Sequence, residues 1–233
     1  MKKKAVFNWS GGKDSALALY KILQQDEYEV IALLTTIDER TSKSSMHLIP
    51  ERLLDTQAEC IGIPLYKVFL PSKGLEGYES AMRKAVEHFK SLGVDDFIFG
   101  DIFLHDVKKY REAQLAPYGI NVIEPLWKSS EEVIVDFLES GIKTRIIVTQ
   151  ADKLDESFVG KDIDKTLIAS LPKGVDPCGE NGEYHTFAYG GPLFKNEVPF
   201  ITKQPEVLTY DVKLDDGQIQ TFSYWHTPIQ SPD

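Results

Sequence analysis

Apolar and polar residues follow two alternating periods along the first half of the chain. Short apolar runs rich in β-branched and aromatic residues predict strands at 5–9, 30–36, 65–69, 96–100 and 121–123. Between these runs, apolar residues recur at the 3.6-residue spacing of amphipathic helices, at 15–25, 51–61, 75–92 and 107–118. Regular alternation of strand and helix predicts an α/β fold with a parallel five-stranded sheet and helices on both faces.

The pattern changes after residue 127. A helix is predicted at 130–138, with Ser129 or Ser130 as its N-cap and Gly141 at its C-terminal end. A strand at 144–149, a helix at 163–171 and two strands at 206–214 and 218–225 follow, the last two joined by a turn at Asp215-Asp216-Gly217. We therefore predict two domains, at 1–127 and 128–233, the second being a smaller α+β lobe.

Composition narrows the class of protein. A chain of 233 residues with 42% hydrophobic and 27% charged residues is typical of a soluble globular protein with one core or a core plus a small lobe. It contains no apolar run of about 20 residues and no signal-peptide core, so we expect a cytoplasmic protein that does not interact with membranes. The net charge of −10 argues against broad nucleic-acid contact, and the two cysteines, Cys60 and Cys178, are expected to be reduced.

The first predicted strand runs directly into Ser10-Gly11-Gly12-Lys13-Asp14-Ser15, which opens a helix. Gly11 and Gly12 let the backbone approach an anion closely, and the helix start adds unpaired N–H donors. Lys13 supplies a positive charge, and the two serines supply hydroxyl donors. Asp14 suits such a site either as a metal ligand or as a helix cap. The segment predicts a nucleotide site.

This motif differs from the common phosphate-binding loops. It lacks the four-residue spacer of the P-loop and the GxGxxG pattern of dinucleotide sites. The hexapeptide resembles the PP-loop of the N-type ATP pyrophosphatases. That resemblance implies that the loop holds the pyrophosphate end of ATP and leaves the α-phosphorus open to attack, giving an adenylated substrate and pyrophosphate.

A second segment, from Gly174 to Phe187, concentrates polar functional groups in a glycine-rich loop. Five of its residues could each bind metal, transfer protons or attack a carbonyl group: Asp176, Cys178, Glu180, Glu183 and His185. The alternative is a turn capped by carboxylates, with His185 beginning a strand. The spacing of Cys178 and His185 matches no standard zinc site.

The two segments together resemble the diphthine–ammonia ligase family of ATP-binding proteins over most of the chain. Four blocks carry the resemblance. They are Ser10-Gly11-Gly12-Lys13-Asp14-Ser15; Ser42-Lys43-Ser44-Ser45-Met46-His47 with Gln57-Ala58-Glu59 and Gly62-Ile63-Pro64-Leu65; Phe99-Gly100-Asp101-Ile102 with Arg111-Glu112 and Pro125-Leu126-Trp127; and Cys178-Gly179-Glu180-Asn181-Gly182-Glu183-Tyr184-His185-Thr186 with Gly191-Pro192-Leu193-Phe194.

The resemblance implies a Rossmann-like fold of the adenine nucleotide alpha hydrolase type and an AMP-forming amide ligase. ATP and Mg²⁺ would act with ammonium and a carboxylate acceptor, such as elongation factor 2 bearing diphthine. A carboxylate attacks the α-phosphorus, and ammonia then displaces AMP. The implied nucleotide ligands are residues 10–15 with Ser45 and Gly100.

The residue types suggest catalytic roles beside those ligands. Lys13 would stabilise the departing pyrophosphate, Asp14 would hold the metal with Asp101 as a second choice, and Arg111 would neutralise phosphate or carboxylate. Glu180, Glu183 and His185 would form the ammonia pocket. Arg111 could instead be a solvated helix charge, and His47 is expected to be a surface residue.

Two other functions remain open. A tRNA-modifying enzyme of the thiolation type would need a basic docking surface, and a sensor that binds ATP or AMP without catalysis would have little use for the acidic loop. The sequence leaves open the acceptor, the source of ammonia, the role of Cys178 and whether the protein forms a homodimer.

Overall fold

The chain folds as alternating strands and helices followed by a mainly antiparallel region, in a computed structural model that describes residues 2–44, 47–71, 74–102, 105–213 and 219–232. No helix within these ranges is both long and apolar enough to cross a membrane. The strands are β1 (Lys3–Asn8), β2 (Tyr28–Asp38), β3 (Lys43–Ser44), β4 (Leu65–Leu70), β5 (Asp96–Ile98), β6 (Asn121–Ile123), β7 (Lys143–Gln150), β8 (Tyr184–Gly190), β9 (Ile201–Thr202), β10 (Glu206–Lys213), β11 (Ile219–His226) and β12 (Ile229–Gln230). The helices are α1 (Lys13–Gln25), α2 (Glu51–Ile61), α3 (Gly74–Ser91), α4 (His105–Leu115), α5 (Ser130–Ser140) and α6 (Lys165–Ala169), with a 3₁₀ turn at Ala116–Tyr118.

The central sheet is mostly parallel, which confirms the predicted α/β class. Its five parallel strands lie in the order β4-β2-β1-β5-β6 and correspond to the five predicted from the sequence. A sixth strand, β3, was not predicted. It has only two residues and pairs antiparallel with the end of β2.

Both faces of this sheet are covered, because side chains along β1 alternate between two hydrophobic clusters. Phe7 packs with α1, α2 and α5 on one face, and the neighbouring Val6 packs with α3 and α4 on the other. We call these the α1 face and the α3 face.

Helix ends differ from the prediction for local reasons. Helix α1 begins at Lys13, two residues early, because Gly12 is its extended N-cap. Helix α4 ends at Leu115 and continues only as a 3₁₀ turn containing Pro117, which lacks a backbone N–H. Helix α5, by contrast, confirms the prediction at both ends: Ser129 is its N-cap in a capping box with Glu132, and Gly141 in the left-handed region ends it.

The C-terminal region forms an antiparallel sheet in the order β10-β11-β7-β8, and β9 pairs with β12. The predicted hairpin is β10 and β11, and its turn lies outside the described residues. Ile146 and Phe187 of this region belong to the same buried cluster as Phe7 and Leu17. The region therefore packs on the α1 face, and the domain boundary at residue 127 stays a prediction.

Strand order fixes where a ligand can bind. From β1 the chain adds β2 and β4 on one side and then β5 and β6 on the other, so the order reverses between β1 and β5. Ligands of open parallel sheets bind beyond the carboxyl ends of the strands at this reversal. Ser10 to Ser15 follow β1 and Gly100 follows β5, so both predicted nucleotide segments lie at the expected position.

Candidate functional site

The loop between β1 and α1 has the geometry of an anion site. Gly11 has φ +82°, a left-handed conformation that a residue with a side chain rarely adopts. No side chain caps the helix from Gly12, so the N-terminus of α1 keeps its polarity. The Gly12 N–H donates to Ser10 Oγ (3.3 Å), Ser10 Oγ donates to Ser15 Oγ (3.0 Å), and Ser15 Oγ donates to the Gly12 carbonyl (3.1 Å). The two serines thus hold the loop together.

At Gly12 and Gly100 a side chain would collide with a neighbouring residue. A Cβ on Gly12 would lie 2.4 Å from His47 Cε1, and one on Gly100 would lie 2.9 Å from the Cα of Ser15. Gly100 therefore lets the end of β5 approach the start of α1, besides lining the cavity described below.

The loop is also tied to the C-terminal region. The Lys13 N–H donates to Thr186 Oγ1 (2.8 Å), and the Ala188 N–H donates to the Gly11 carbonyl (2.8 Å). Gln57, fully buried on α2, donates from Nε2 to the carbonyls of Gly11 (3.0 Å) and Ala188 (2.6 Å). Its Oε1 accepts from the Trp9 indole (3.0 Å). Strand β8 and Gln57 therefore set the shape of the loop.

Replacing Gln57 by Leu should destabilise the protein by about 3 kcal/mol, because each buried polar group left without a partner costs about 1–3 kcal/mol. The Trp9 N–H and the Ala188 carbonyl would both lose their Gln57 partner. The free energy of unfolding in urea measures the effect. Gln24→Leu, at an exposed position of α1, is the control and should change stability by less than about 0.5 kcal/mol. A loss below about 1 kcal/mol for Gln57→Leu would contradict this account.

A cavity of about 740 Å³ opens between the loop and the C-terminal region. Most predicted site residues line it: Ser10, Lys13, Asp14, Ser15, Gly100, Asp101, Arg111, Glu180 and His185. Its volume lies within the range of small-molecule sites. Leu34 to Thr36 of β2 and Leu70 of β4 also line this cavity. Ser45 lies outside the described residues.

Lys13 and Asp14 form an ion pair at the cavity wall. The Lys13 side chain is only 1% exposed, whereas 25% of the Asp14 side chain is exposed. Burial is the largest single influence and lowers the pKa of Lys13, but the attractions of the surrounding groups, Asp14 first among them, together raise the pKa above the ordinary lysine value. Lys13 is therefore a fixed positive charge next to the helix start.

Glu180 is a cavity-lining carboxyl group whose surroundings favour its protonated form. Burial, and then the negative charge of Asp14, raises its pKa to about 8. Asp176 holds the turn that carries it, since Asp176 Oδ1 accepts from the N–H groups of Cys178 (2.7 Å) and Glu180 (3.3 Å). A carboxyl group with this pKa can exchange protons near neutral pH.

His185 faces His47, which the sequence predicted to be a surface residue. The rings of His47 and His185 lie 5.0 Å apart, and His47 Nδ1 lies 2.9 Å from the Thr186 carbonyl, to which its protonated nitrogen can donate. Burial, followed by the proximity of His47, lowers the pKa of His185 to about 3, and burial also lowers that of His47. These lowered pKa values favour the neutral form of both rings at neutral pH. His47 is half-buried and lines the cavity, so it is not the surface residue that the sequence predicted. Only its place in a family-like block could have indicated this.

Glu183 and Cys178 have structural contacts. The Glu183 carboxylate accepts from the N–H groups of Asp176 (3.0 Å) and Asn181 (3.0 Å) and from Asn181 Nδ2 (3.1 Å). These contacts turn Glu183 into its own loop and away from the cavity. Cys178 Sγ donates to the Ser130 carbonyl (3.3 Å), and burial raises the pKa of its thiol to about 12, which disfavours a nucleophilic thiolate. Both cysteines are free.

Asp101 and Arg111 also line the cavity and form an ion pair. The Arg111 guanidinium also stacks on the Phe99 ring, 4.1 Å from its centre. Burial lowers the pKa of Arg111 from the usual arginine value. Arg111 is thus held in place at the site, and the alternative of a solvated helix charge does not fit this position.

The carboxylates of the cavity fit a metal site in which substrate phosphates supply the other ligands. Among the described residues, no group of three or more His, Cys, Asp and Glu side chains could hold a metal ion. Magnesium in nucleotide sites is bound by one or two carboxylates together with substrate phosphates. Asp14 projects into the cavity and fits that arrangement.

Comparison with known proteins finds similar chains over most of the sequence. The family model of the diphthamide synthase N-terminal domain matches residues 1–121, and that of the C-terminal domain matches residues 129–209. The chain is 26% identical to the diphthine–ammonia ligase of Bos taurus, over 86% of this chain and 83% of that protein. It is 26% identical to the Homo sapiens protein of the same name, over 81% and 79%, and 27% identical to the Danio rerio protein, over 94% of each.

Proposed function

Because the chain belongs to the diphthamide synthase family, we propose that it is an ATP-dependent ligase that adenylates a carboxylate and converts it to an amide with ammonia. One observation carries the proposal. The anion loop after β1 and the acidic loop before β8 face each other across one cavity, joined by the bond from the Lys13 N–H to Thr186. Phosphate binding and ammonia chemistry thus share one space.

ATP would lie along the carboxyl edge of the sheet. The pyrophosphate end fits the loop at residues 10–15, and the adenosine end fits the wall formed by Leu34 to Thr36 and Leu70. The α-phosphorus then lies between them, open to the cavity.

In the first step a carboxylate oxygen bonds to the α-phosphorus and the bond to the β-phosphate oxygen breaks, releasing pyrophosphate. The Lys13 ammonium and the positive end of the α1 dipole stabilise the charge that gathers on the leaving group. Asp14 would hold Mg²⁺, which neutralises phosphate charge when bound. The product is an acyl-adenylate, whose AMP is a far better leaving group than oxide.

In the second step the nitrogen of ammonia attacks the acyl carbon, and the carbon–oxygen bond to AMP breaks. Ammonium must first lose a proton, and Glu180 is suited to accept it because its raised pKa narrows the gap between the two acids. The neutral rings of His47 and His185 can accept hydrogen bonds from ammonium without repelling it. We therefore propose that Glu180, His185 and His47 form the ammonia pocket. Glu183, which the sequence suggested for this pocket, is not part of it.

Two expectations rest on family membership: diphthine on elongation factor 2 is the proposed acceptor, and the fold is proposed to be of the adenine nucleotide alpha hydrolase type. The cytoplasmic location and the absence of nucleic-acid partners rest on composition and charge and stay predictions. The sequence leaves open whether the protein forms a homodimer.

The decisive experiment is a product assay with the full chain, ATP, Mg²⁺, ammonium and elongation factor 2 bearing diphthine. We expect AMP and pyrophosphate in equal amounts, with amide formation that needs both acceptor and ammonium. Formation of ADP, or turnover that is indifferent to the acceptor, would refute the ligase. Nucleotide binding without turnover would favour a sensor, and turnover dependent on tRNA would favour the thiolation type.

A further inference from the structure

A second cavity of about 350 Å³ lies between α3 and α4 on the α3 face. Its floor is apolar, formed by Val86, Phe97 and Leu115, which belong to the buried cluster of that face. Tyr110 and Tyr118 add aromatic walls. Protein interiors are close-packed, so an open space of this size between two helices and a sheet suits a bound group. We call it the side pocket.

The side pocket joins the nucleotide cavity. Four residues line both spaces: Tyr78, Met82, Phe99 and Arg111. Arg111 is the cation common to the two linings, and one of its terminal nitrogens pairs with Asp101. A guanidinium has five N–H donors, so donors remain for a second carboxylate.

The anion loop and the junction between the two spaces lie toward opposite faces of the sheet. Helix α1, whose start forms the anion loop, packs on the α1 face, and the floor of the side pocket belongs to the α3 face. In phosphoryl transfer the attacking and leaving oxygens lie roughly in line. If pyrophosphate leaves toward the anion loop, the attacking carboxylate must come from the other side, which is where the junction at Arg111 opens.

We propose, on the basis of the ligase function above, that the side pocket receives the acceptor: its apolar or ring-containing body lies between α3 and α4, and Arg111 presents its carboxylate to the α-phosphorus. Aromatic walls pack well against a ring such as the imidazole of a modified histidine. The side pocket is separate from the acidic loop, which contributes to the proposed ammonia pocket.

The test fills the side pocket without touching the nucleotide cavity. Gln114→Trp on α4 and Ser80→Trp on α3 each add a large ring at a position that lines the side pocket alone. Ala113→Trp, at an exposed neighbouring position of α4, is the matched control. Binding of elongation factor 2 bearing diphthine is titrated in the presence of a non-hydrolysable ATP analogue, and the acceptor KM and ATP Kd are measured in parallel.

We expect at least one of the two filling variants to weaken acceptor binding and raise the acceptor KM by about tenfold or more, a change equivalent to roughly 1.4 kcal/mol. The ATP Kd should stay within about twofold of wild type, and Ala113→Trp should behave as wild type. Unchanged acceptor binding in both filling variants, an equal loss in the control, or a wild type that does not bind the acceptor would overturn the proposal. A wild type that binds the acceptor through the side pocket but forms no AMP would refute the ligase function alone.

Discussion

Replacing Lys13 by Met is expected to slow pyrophosphate release by about 10²–10³-fold or more, the range seen when one donor to a developing oxyanion is removed. Lys13 is buried, paired with Asp14 and anchored through its own N–H to Thr186, so its charge needs no rearrangement when the phosphate bond breaks. Methionine keeps most of the side-chain volume and removes only the charge. Initial rates of acceptor-dependent pyrophosphate release measure the effect.

The matched control is Lys21→Met, on the same helix. Lys21 forms a half-exposed ion pair with Asp136, and its loss should leave the rate near wild type. Nucleotide binding by Lys13→Met should weaken far less than turnover, because the loop backbone and the adenosine wall remain. Wild-type turnover in a folded Lys13→Met protein would remove Lys13 from the mechanism.

The order of elements was predictable because it depends on local patterns. The five parallel strands and the helices between them follow from apolar periodicity, and the loop after β1 follows from the neighbouring glycines, Lys13 and the helix start. The sequence does not predict β3 and β9, since two residues carry no periodic signal, and it gives β8 only as the alternative in which His185 begins a strand. The end of α4 depends on Pro117, which lacks a backbone N–H, whereas apolar periodicity alone extends the helix to residue 118.

Local sequence patterns do not predict the parts of the site that depend on contacts between residues far apart in the chain. Gln57 lies 46 residues from Gly11 and 131 from Ala188, yet it joins all three segments. His47 and His185 meet only because β8 docks beside the loop after β1. Glu180 and Glu183 looked equivalent in the sequence, and only the folded loop separates them, since Glu183 binds backbone N–H groups and Glu180 faces the cavity.

Replacing Glu180 by Gln is expected to reduce amide formation from ammonium by about 10²–10⁴-fold, the usual contribution of a general base, while adenylation continues. Glutamine has the same shape but cannot take the proton. Exchange of labelled pyrophosphate into ATP, which reports the first step, should therefore persist. In the wild type, the ammonium-dependent rate should rise with pH through about 8, where Glu180 ionises.

The same pKa predicts an opposite trend in stability. The pKa of Glu180 is raised in the folded state, so between the ordinary glutamate value and about 8 the folded protein holds a proton that the unfolded chain has released. Rising pH therefore lowers wild-type stability across that window. Glu180→Gln lacks this ionisation and should be the more stable protein above pH 8 in thermal unfolding. Glu139→Gln, at an exposed position of α5, should show neither effect.

Hydroxylamine separates the proposed proton transfer from simple positioning. It is largely unprotonated at neutral pH, so as a replacement for ammonia it does not need a base to release its lone pair. Glu180→Gln should thus form hydroxamate at a rate close to wild type while failing with ammonium. Equal losses with both nucleophiles would mean that Glu180 orients the acyl-adenylate, and loss of pyrophosphate exchange would assign it to the first step, next to Asp14.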